Sequence, residues 1–108
     1  MPGKFEIKTS KNGKIRFNLK ASNGQIILTS ETYETRKAAE SGIAAVKKNA
    51  VVDGRFERKT ARDGSVYFVL KASNGEIVGK SEHYPTLAGL ETGISTVKTN
   101  AETAKVVS

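Results

Sequence analysis

The chain is an internal duplication, and this feature constrains its fold more than any other. A shift of 51 residues aligns Phe5–Ala50 with Phe56–Ala101, and 24 of the 46 aligned positions are identical. A unit of about 50 residues buries only about 60% of its unfolded surface, so it is marginally stable alone. We therefore expect one domain over 1–108 in which two repeats, about 4–53 and 55–107, share a core.

Each repeat opens with a pattern typical of antiparallel strands. In the segment 15–21, apolar and polar residues alternate, as they do in a strand with one buried face. The corresponding segment 66–72 has apolar residues at the same inward-facing positions. The pattern predicts a three-stranded meander in each repeat, over 4–10, 14–22 and 25–32, and over 55–61, 65–73 and 76–83.

The octapeptide LKASNGQI, which returns as LKASNGEI, raises a choice between a ligand-binding loop and a hairpin turn. It lacks the G-x-x-x-x-G-K-[ST] frame of a phosphate-binding loop, and no helix follows it. Asn-Gly between alternating strands is a strong hairpin signal, so we predict a two-residue type I′ turn with positive φ at Asn23 and Gly24. This turn places Leu19 opposite Leu28.

The first loop of each repeat is predicted to be longer. A three-residue loop that ends at a left-handed Gly13 pairs Ile7 with Phe17 and keeps both on the buried face. In the second repeat the same register gives Arg58 the inward position of Ile7. We expect its side chain to lie at the rim of the sheet with its stem on Phe68.

A helical period follows the strands in both repeats. From Thr35 to Asn49, apolar residues recur at a spacing of three and four, and the second repeat copies this stripe. Thr35 and Thr86 are the predicted N-caps. A glycine inside a helix costs about 1 kcal/mol relative to alanine. Gly42 and Gly93 on the apolar stripe therefore predict a helix that lies close to another backbone.

Four motifs occur in both repeats, over about residues 4 to 104: F-E-x-K-T, F-x-L-K-A-S-N-G, S-E-x-Y and G-I-x-x-V-K-x-N-A. With this combination the chain resembles the YegP-like family, also called domain of unknown function 1508, as a tandem two-repeat member. The resemblance implies small bacterial proteins of unknown activity and single-repeat relatives that pair as homodimers. It supplies no catalytic or binding residues.

The resemblance also implies an α+β fold. Each β-β-β-α unit would be followed by a short strand, both helices would lie on one face of a single antiparallel sheet, and the terminal strands would be exchanged between the repeats. Val51–Val52 and Lys105–Val107 lie where such strands are expected.

Composition excludes several classes of function. Without cysteine, the chain can build neither a disulfide framework nor a thiolate nucleophile nor a cysteine-based metal site. No segment approaches the roughly 18 apolar residues of a membrane span, and the first residues form no hydrophobic signal segment. We therefore expect a cytoplasmic protein with no membrane partner. The one histidine, His83, aligns with Thr32, and we expect it on the surface, with no metal and no cofactor.

The Ser-Glu-x-Tyr segments, Ser30–Tyr33 and Ser81–Tyr84, each combine a hydroxyl, a carboxylate and a phenol. Neither serine has a histidine or cysteine positioned as its base, so we predict no catalytic residues, and a hydrolytic enzyme ranks third among the possible functions. Glu31 is predicted to face Arg16 in an exposed charge ladder.

Basic residues give the best lead to a function, because the formal net charge is +7. Strand alternation places many of them on the sheet face away from the helices, together with Ile27, Val69 and Val78. Mixed charges can simply keep such a face soluble. Alternatively, the face can follow a phosphate backbone while an aromatic ring stacks on a base. The candidate polyanion-binding residues are Lys8, Lys14, Arg16, Lys20, Lys59, Tyr67, Lys71 and Lys80.

These observations predict a non-catalytic binding or structural module of unknown partner. Nucleic acid or another polyanion is the alternative. We expect the complete chain to be a monomer with pseudo-two-fold symmetry.

Overall fold

The structure, a computed structural model, describes residues 3–107 except for the side chain of Asp53. Positions 1, 2 and 108 of the predicted domain lie outside the described residues. A 3-10 turn at Asp53–Arg55 links the two repeats. The elements are β1 (Lys4–Thr9), β2 (Ile15–Lys20), β3 (Ile26–Thr29), α1 (Arg36–Asn49), β4 (Phe56–Thr60), β5 (Val66–Lys71), β6 (Ile77–Lys80), α2 (Leu87–Ala101) and β7 (Lys105–Val107).

The strands form one sheet in the order β4-β5-β6-β3-β2-β1-β7. Its pairs are antiparallel except β1 with β7, which is parallel. The two meanders meet at β3 and β6, where Thr29 pairs with Lys80. These two residues are 51 positions apart, so they are equivalent in the duplication. A pseudo-two-fold axis therefore passes through this pair.

All four hairpins use the same three-residue loop. In the second hairpin, Ala21 N donates to Gln25 O and Gly24 N donates to Ala21 O. Only the glycine of each loop has a positive φ, between 83° and 87°. The loop predicted at Gly13 is confirmed, but the type I′ turn is wrong because Asn23 does not adopt a positive φ. Its side chain instead accepts a hydrogen bond of 3.0 Å from Gln25 N.

Two predicted residue pairs nevertheless hold. Ile7 lies opposite Phe17, and Leu19 lies opposite Leu28. The second register survives the longer loop because a β-bulge between Leu19 and Lys20 absorbs the extra residue. The second repeat has the same bulge.

Arg58 occupies the inward position that the register predicts, opposite Phe68. Its side chain lies at the rim of the sheet, where Nη2 donates to Glu91 Oε1 on α2 at 2.8 Å. The charged ends of this ion pair remain exposed to solvent, so the rim location predicted for Arg58 is confirmed.

Each helix begins at its predicted cap and packs on strands of both repeats. Thr35 Oγ1 accepts from Ala38 N, and Thr86 Oγ1 accepts from Gly89 N, both at 3.0 Å. α1 packs on β2, β5 and β6, and α2 packs on β5 and β3. The repeats therefore share one core, whose largest fully buried side chains are Phe5, Phe17, Phe68, Leu19, Leu28, Leu70, Leu90, Val46 and Val97.

The helix glycines make room for tyrosine rings. A Cβ on Gly42 would lie 2.7 Å from Tyr33 Cζ, and a Cβ on Gly93 would lie 2.7 Å from Tyr84 Cζ. The same rings stack at 9° on phenylalanines of β2 and β5, with centroid distances of 6.1 and 6.5 Å. The predicted close approach is correct, but its neighbour is a ring and not a backbone. The prediction missed this because Tyr33 and Tyr84 lie just beyond the predicted third strands, where strand alternation gives no position.

The two terminal segments behave differently. β7 follows α2 and pairs with β1 of the first repeat, which confirms a strand exchanged between repeats. Val51–Val52 forms no strand, because the chain passes directly through Asp53–Arg55 into β4. The edges of the sheet are therefore unequal, with β7 at one end and β4 at the other.

Candidate polyanion-binding face

The sheet face away from the helices, here called the outer face, is organised around one row of paired residues. The row crosses the sheet through Glu6, Asn18, Thr29, Lys80, Val69 and Glu57. Neighbouring strands lie about 4.8 Å apart, so the two glutamates are separated by about 24 Å. The candidate residues on β1 and β2 lie near Glu6, and those on β4 and β5 lie near Glu57. They form two clusters rather than one continuous patch.

In the first cluster, Glu6 Oε1 lies 3.1 Å from Lys20 Nζ and 3.4 Å from Lys8 Nζ. The contact with Lys20 contributes most to lowering the pKa of Glu6, although burial of the carboxylate opposes it. The bridge between Ile15 and Tyr33 places Thr32, not Glu31, opposite Arg16. The predicted Glu31–Arg16 ladder is therefore wrong.

The second cluster repeats this arrangement. Glu57 lies 2.8 Å from Lys59 Nζ and 2.7 Å from Lys71 Nζ. Hydrogen bonds from Lys59 and then Lys71 lower the pKa of Glu57 to about 2. Lys14 pairs with Glu34. Five of the seven candidate cations therefore already contact a carboxylate, and Arg16 and Lys80 make no ion pair among residues 3–107.

On the outer face, the second repeat alone has an aromatic cluster among the described residues. The rings of Tyr67 and His83 stack with centroids 4.8 Å apart and an interplanar angle of 20°. Lys80 Nζ lies 4.8 Å from the Tyr67 centroid, in a cation–π contact. The predicted base-stacking ring therefore already has two neighbours from its own chain. In the first repeat the equivalent residues are Arg16 and Thr32, which provide no ring.

A short hydrogen-bond chain holds His83 against the first loop of its repeat. His83 Nδ1 lies 2.8 Å from Ser65 Oγ, which lies 2.6 Å from Asp63 Oδ1. The Ser65 side chain and amide hydrogen bonds lower the pKa of Asp63. The ionised carboxylate only accepts, so the single hydroxyl proton of Ser65 goes to Asp63 and His83 Nδ1–H donates to the hydroxyl. The hydroxyl proton of Ser65 thus points to the Asp63 carboxylate, and His83 is a donor to the hydroxyl and not its base.

The serines of the Ser-Glu-x-Tyr segments are structural. Ser30 Oγ accepts from Phe17 N at 2.9 Å and donates to Glu31 O at 2.7 Å. Ser81 makes the same two bonds in the second repeat, also at 2.9 and 2.7 Å. Each hydroxyl takes the place of the serine carbonyl in the next pair of the ladder, while the serine amide still donates to the phenylalanine carbonyl at 2.9 Å. This is why β3 and β6 end at Thr29 and Lys80, earlier than predicted.

Two grooves were compared with the requirements of an active site. The first, of about 460 Å³, lies beside the pseudo-two-fold axis. The second, of about 260 Å³, lies between the second hairpin and α2 and includes Tyr84. Neither brings a glutamate of a Ser-Glu-x-Tyr segment together with a tyrosine of one. The first groove is lined by Thr29, Ser30, Glu31, Lys80, Ser81, Glu82 and His83.

No set of three His, Cys, Asp or Glu side chains within the described residues is arranged to hold a metal ion. Of the two helices in the described chain, neither has the length and apolar character needed to span a membrane.

Three apolar residues predicted on the open face are buried. Ile27, Val69 and Val78 are only 4%, 3% and 8% exposed. Ile27 lines the second groove beside Gly93 of α2, so this part of β3 is covered by the helix. Val69 lies between Glu57 and Lys80 in the central row. The expectation of a solvent-open apolar set is therefore wrong, and the exposed chemistry of the outer face is mainly charged.

The Tyr67–His83 contact was missed at the sequence level, although a signal for it was available. Val66 pairs with Tyr84 in the same way that Ile15 pairs with Tyr33. The residue after Val66 therefore lies opposite the residue before Tyr84. The prediction carried the register of the central strands past Ser81, where the serine side chain shifts it by one residue.

Comparison with known proteins places the chain in a family. The sequence profile of domain of unknown function 1508 matches residues 10–57 and again residues 61–108. The two matches begin 51 residues apart, which is the shift of the duplicated sequence, and each covers the second and third strands and the helix of one repeat. The chain therefore belongs to this family, with the family domain present in tandem.

Relatives of nearly the same length are known from several bacteria. UPF0339 protein YegP of Escherichia coli strain K12 is 47% identical over 106 residues, covering 98% of this chain and 96% of the relative. A UPF0339 protein of Pseudomonas aeruginosa is 49% identical over 98 residues, covering 91% and 89%. Neither name states an activity, a substrate or a partner.

Two solution NMR structures have the same fold. That of Escherichia coli YegP, described as a protein of unknown function, gives a TM-score of 0.93 at 47% identity, covering 98% of this chain and 91% of the other. That of a UPF0339 protein from Shewanella oneidensis gives 0.92 at 38% identity, covering 98% and 90%.

Proposed function

We propose that the protein is a non-catalytic binding module whose outer face binds polyanions, with single-stranded nucleic acid as the first class to test. The observation that carries the proposal is the charge balance of this face. On the strands, six candidate cations stand against the two carboxylates of Glu6 and Glu57, and Glu31 and Glu82 follow the third strands beside Lys80. The remaining positive charge attracts phosphate groups, and salt weakens this attraction.

The ion pairs of the outer face favour weak binding of low sequence preference. Each glutamate holds two lysines in place, so a phosphate group must compete with a carboxylate for them. Arg16 and Lys80 face no such competition. The guanidinium of Arg16 matches phosphate geometry, and Lys80 lies beside the Tyr67 ring.

The test compares two double variants of equal charge. Arg16→Gln with Lys80→Gln removes the two candidate cations that make no ion pair among the described residues. Lys37→Gln with Lys48→Gln removes two exposed cations of α1, on the helix side. Fluorescence anisotropy with a single-stranded oligonucleotide, titrated at several salt concentrations, measures affinity and its salt slope.

The outer-face variant should bind more weakly, and the slope of log K against log salt should fall by about 0.7 for each phosphate group that the variant no longer binds. The α1 variant should bind like the unmodified protein. Equal losses of affinity in both variants would mean that binding depends on the net charge of the protein and not on the outer face. If the unmodified protein does not bind at low salt, single-stranded nucleic acid is excluded as a ligand.

A further inference from the structure

The outer strands of the two meanders, β1 and β4, are equivalent in sequence, but the structure covers only β1. β1 is covered by β7, with Phe5 beside Val106 and a hydrogen bond from Lys105 N to Gly3 O. β4 is the repeat equivalent of β1, and among the described residues no strand pairs with its outer side. The segment that would cover it by symmetry is used to join α1 to β4. The tandem linkage therefore leaves one edge open.

The hydrogen-bond pattern identifies the open backbone groups of β4. Ala61 N donates to Ser65 O, so this residue pair bonds across the hairpin. Because bonded pairs alternate along an antiparallel ladder, Glu57 and Lys59 also direct their amide and carbonyl groups toward β5. Those of Phe56, Arg58 and Thr60 point away from the sheet. An unpaired edge of this kind is a template for another strand.

The sequence of β4, Phe-Glu-Arg-Lys-Thr, is complementary to itself in one antiparallel register. Centred on Arg58, the register sets Phe56 opposite Thr60, and these pairs use the open backbone groups. On the outer face, Glu57 of each chain then lies opposite Lys59 of the other, so opposite charges meet twice. On the inner face the two Arg58 side chains meet, each already paired with Glu91 of its own chain.

Other registers lack this complementarity. A parallel in-register pairing sets Glu57 beside Glu57 and Lys59 beside Lys59. An antiparallel shift by two residues sets one of these like-charged pairs directly opposite, and a shift by one residue turns the buried face outward. The charges of β4 thus disfavour the other registers with an identical chain and favour this one.

We infer that the open β4 edge pairs with β4 of a second copy of this chain, in an antiparallel two-fold dimer centred on Arg58. Val51 and Val52, which are 57% and 43% exposed, lie just before β4 and would approach the loop between β4 and β5 of the second copy. The contact is short, so the association is weak and depends on concentration. This inference differs from the monomer expected from the sequence, and it does not rest on the proposed polyanion binding, although both involve Lys59.

Reciprocal charge reversal tests the inference in the full chain. Glu57→Lys leaves positions 57 and 59 both positive, and Lys59→Glu leaves both negative, so each variant should lose the concentration-dependent rise in mass seen for the unmodified protein. Mixed in equal amounts, the two variants restore opposite charges at both positions. The mixture should therefore regain the rise in sedimentation equilibrium.

Glu6→Lys and Lys8→Glu are matched controls, because they make the same changes on the edge that β7 covers. Both should associate like the unmodified protein, and thermal melting checks that all four variants are folded. If the unmodified chain stays monomeric at the highest concentration, the inference is overturned. The same holds if the single variants associate normally, or if folded variants fail to associate when mixed.

Discussion

The two repeats differ at one pair of facing residues near the start of their second strands. The first repeat carries Arg16 opposite Thr32, and the second repeat carries Tyr67 opposite His83. The backbone pairing is the same in both. Arg16 makes no ion pair in the described part of the chain, whereas Tyr67 stacks on His83 and contacts Lys80. One backbone therefore presents an arginine in one half of the outer face and a ring cluster in the other.

The interior differs from the outer face in this respect. Ser30 and Ser81 make the same two hydrogen bonds at the same distances. Tyr33 and Tyr84 each lie so close to a helix that only glycine fits at the helix position facing the ring. The comparison separates positions whose contacts maintain the fold from positions where the fold accepts different chemistry.

The largest effect is expected from separating the repeats. A fragment of residues 1–54 keeps β1, β2, β3 and α1 but lacks β5 and β6, on which α1 packs. It also leaves the edge of β3 unpaired. We expect it to be unfolded as a monomer or to fold only as a two-fold dimer. Circular dichroism and sedimentation equilibrium check this, and a well-folded monomer would mean that the repeats are independent.

The strands and helices could be predicted because each periodicity occurs twice, whereas the strand exchanged between the repeats was implied by the family resemblance. The turn at Asn23 could not, because the same Asn-Gly pair suits two loop geometries. The side chain of Asn23 bonds to Gln25 N and supports the longer loop. The bulge beside Leu19 then restores the register. Alternation alone therefore gave the correct strand pairs from an incorrect turn.

The second effect tests whether the two interiors are equivalent. Gly42→Ala and Gly93→Ala each place a methyl group 2.7 Å from a tyrosine Cζ. Overpacking costs about 1–3 kcal/mol, and alanine recovers about 1 kcal/mol of helix propensity. We expect each variant to lose about 1 kcal/mol of unfolding free energy, measured by urea denaturation.

Gly54→Ala is the control for this pair, since a Cβ there meets nothing within 4 Å. Adding Tyr33→Phe to Gly42→Ala should recover part of the stability, because the Tyr33 hydroxyl is the nearest atom to the new methyl group. Destabilisation in only one helix would show that the two tyrosines are held differently, despite their equal geometry.

The candidate site was less predictable than the fold, for a physical reason. Strand alternation gives the face on which Lys8, Lys20, Lys59 and Lys71 lie, but it gives no information about their partners. The partners depend on rotamers of long side chains around Glu6 and Glu57 and on the register shift at the serines. Pairing of this kind is set by tertiary contacts that a two-residue period does not encode.

The smallest effect is expected from acid titration of the two glutamates of the outer face. Lys59 and Lys71 lower the pKa of Glu57 from 4.5 to about 2. Because the folded state holds the ionised form, its contribution to stability is fully present above pH 4.5 and is lost as the pH falls through about 2. The stability difference between the unmodified chain and Glu57→Gln should therefore be constant above pH 4.5 and shrink below it, and added salt should reduce it at every pH. Glu6→Gln should change in the same direction, since the pKa of Glu6 is also lowered.

Urea unfolding at a series of pH values measures both differences. If the unmodified chain and Glu57→Gln lose stability in parallel down to about pH 2, the lysines do not hold this carboxylate in solution, and the second cluster would be more open to a phosphate group than the structure suggests.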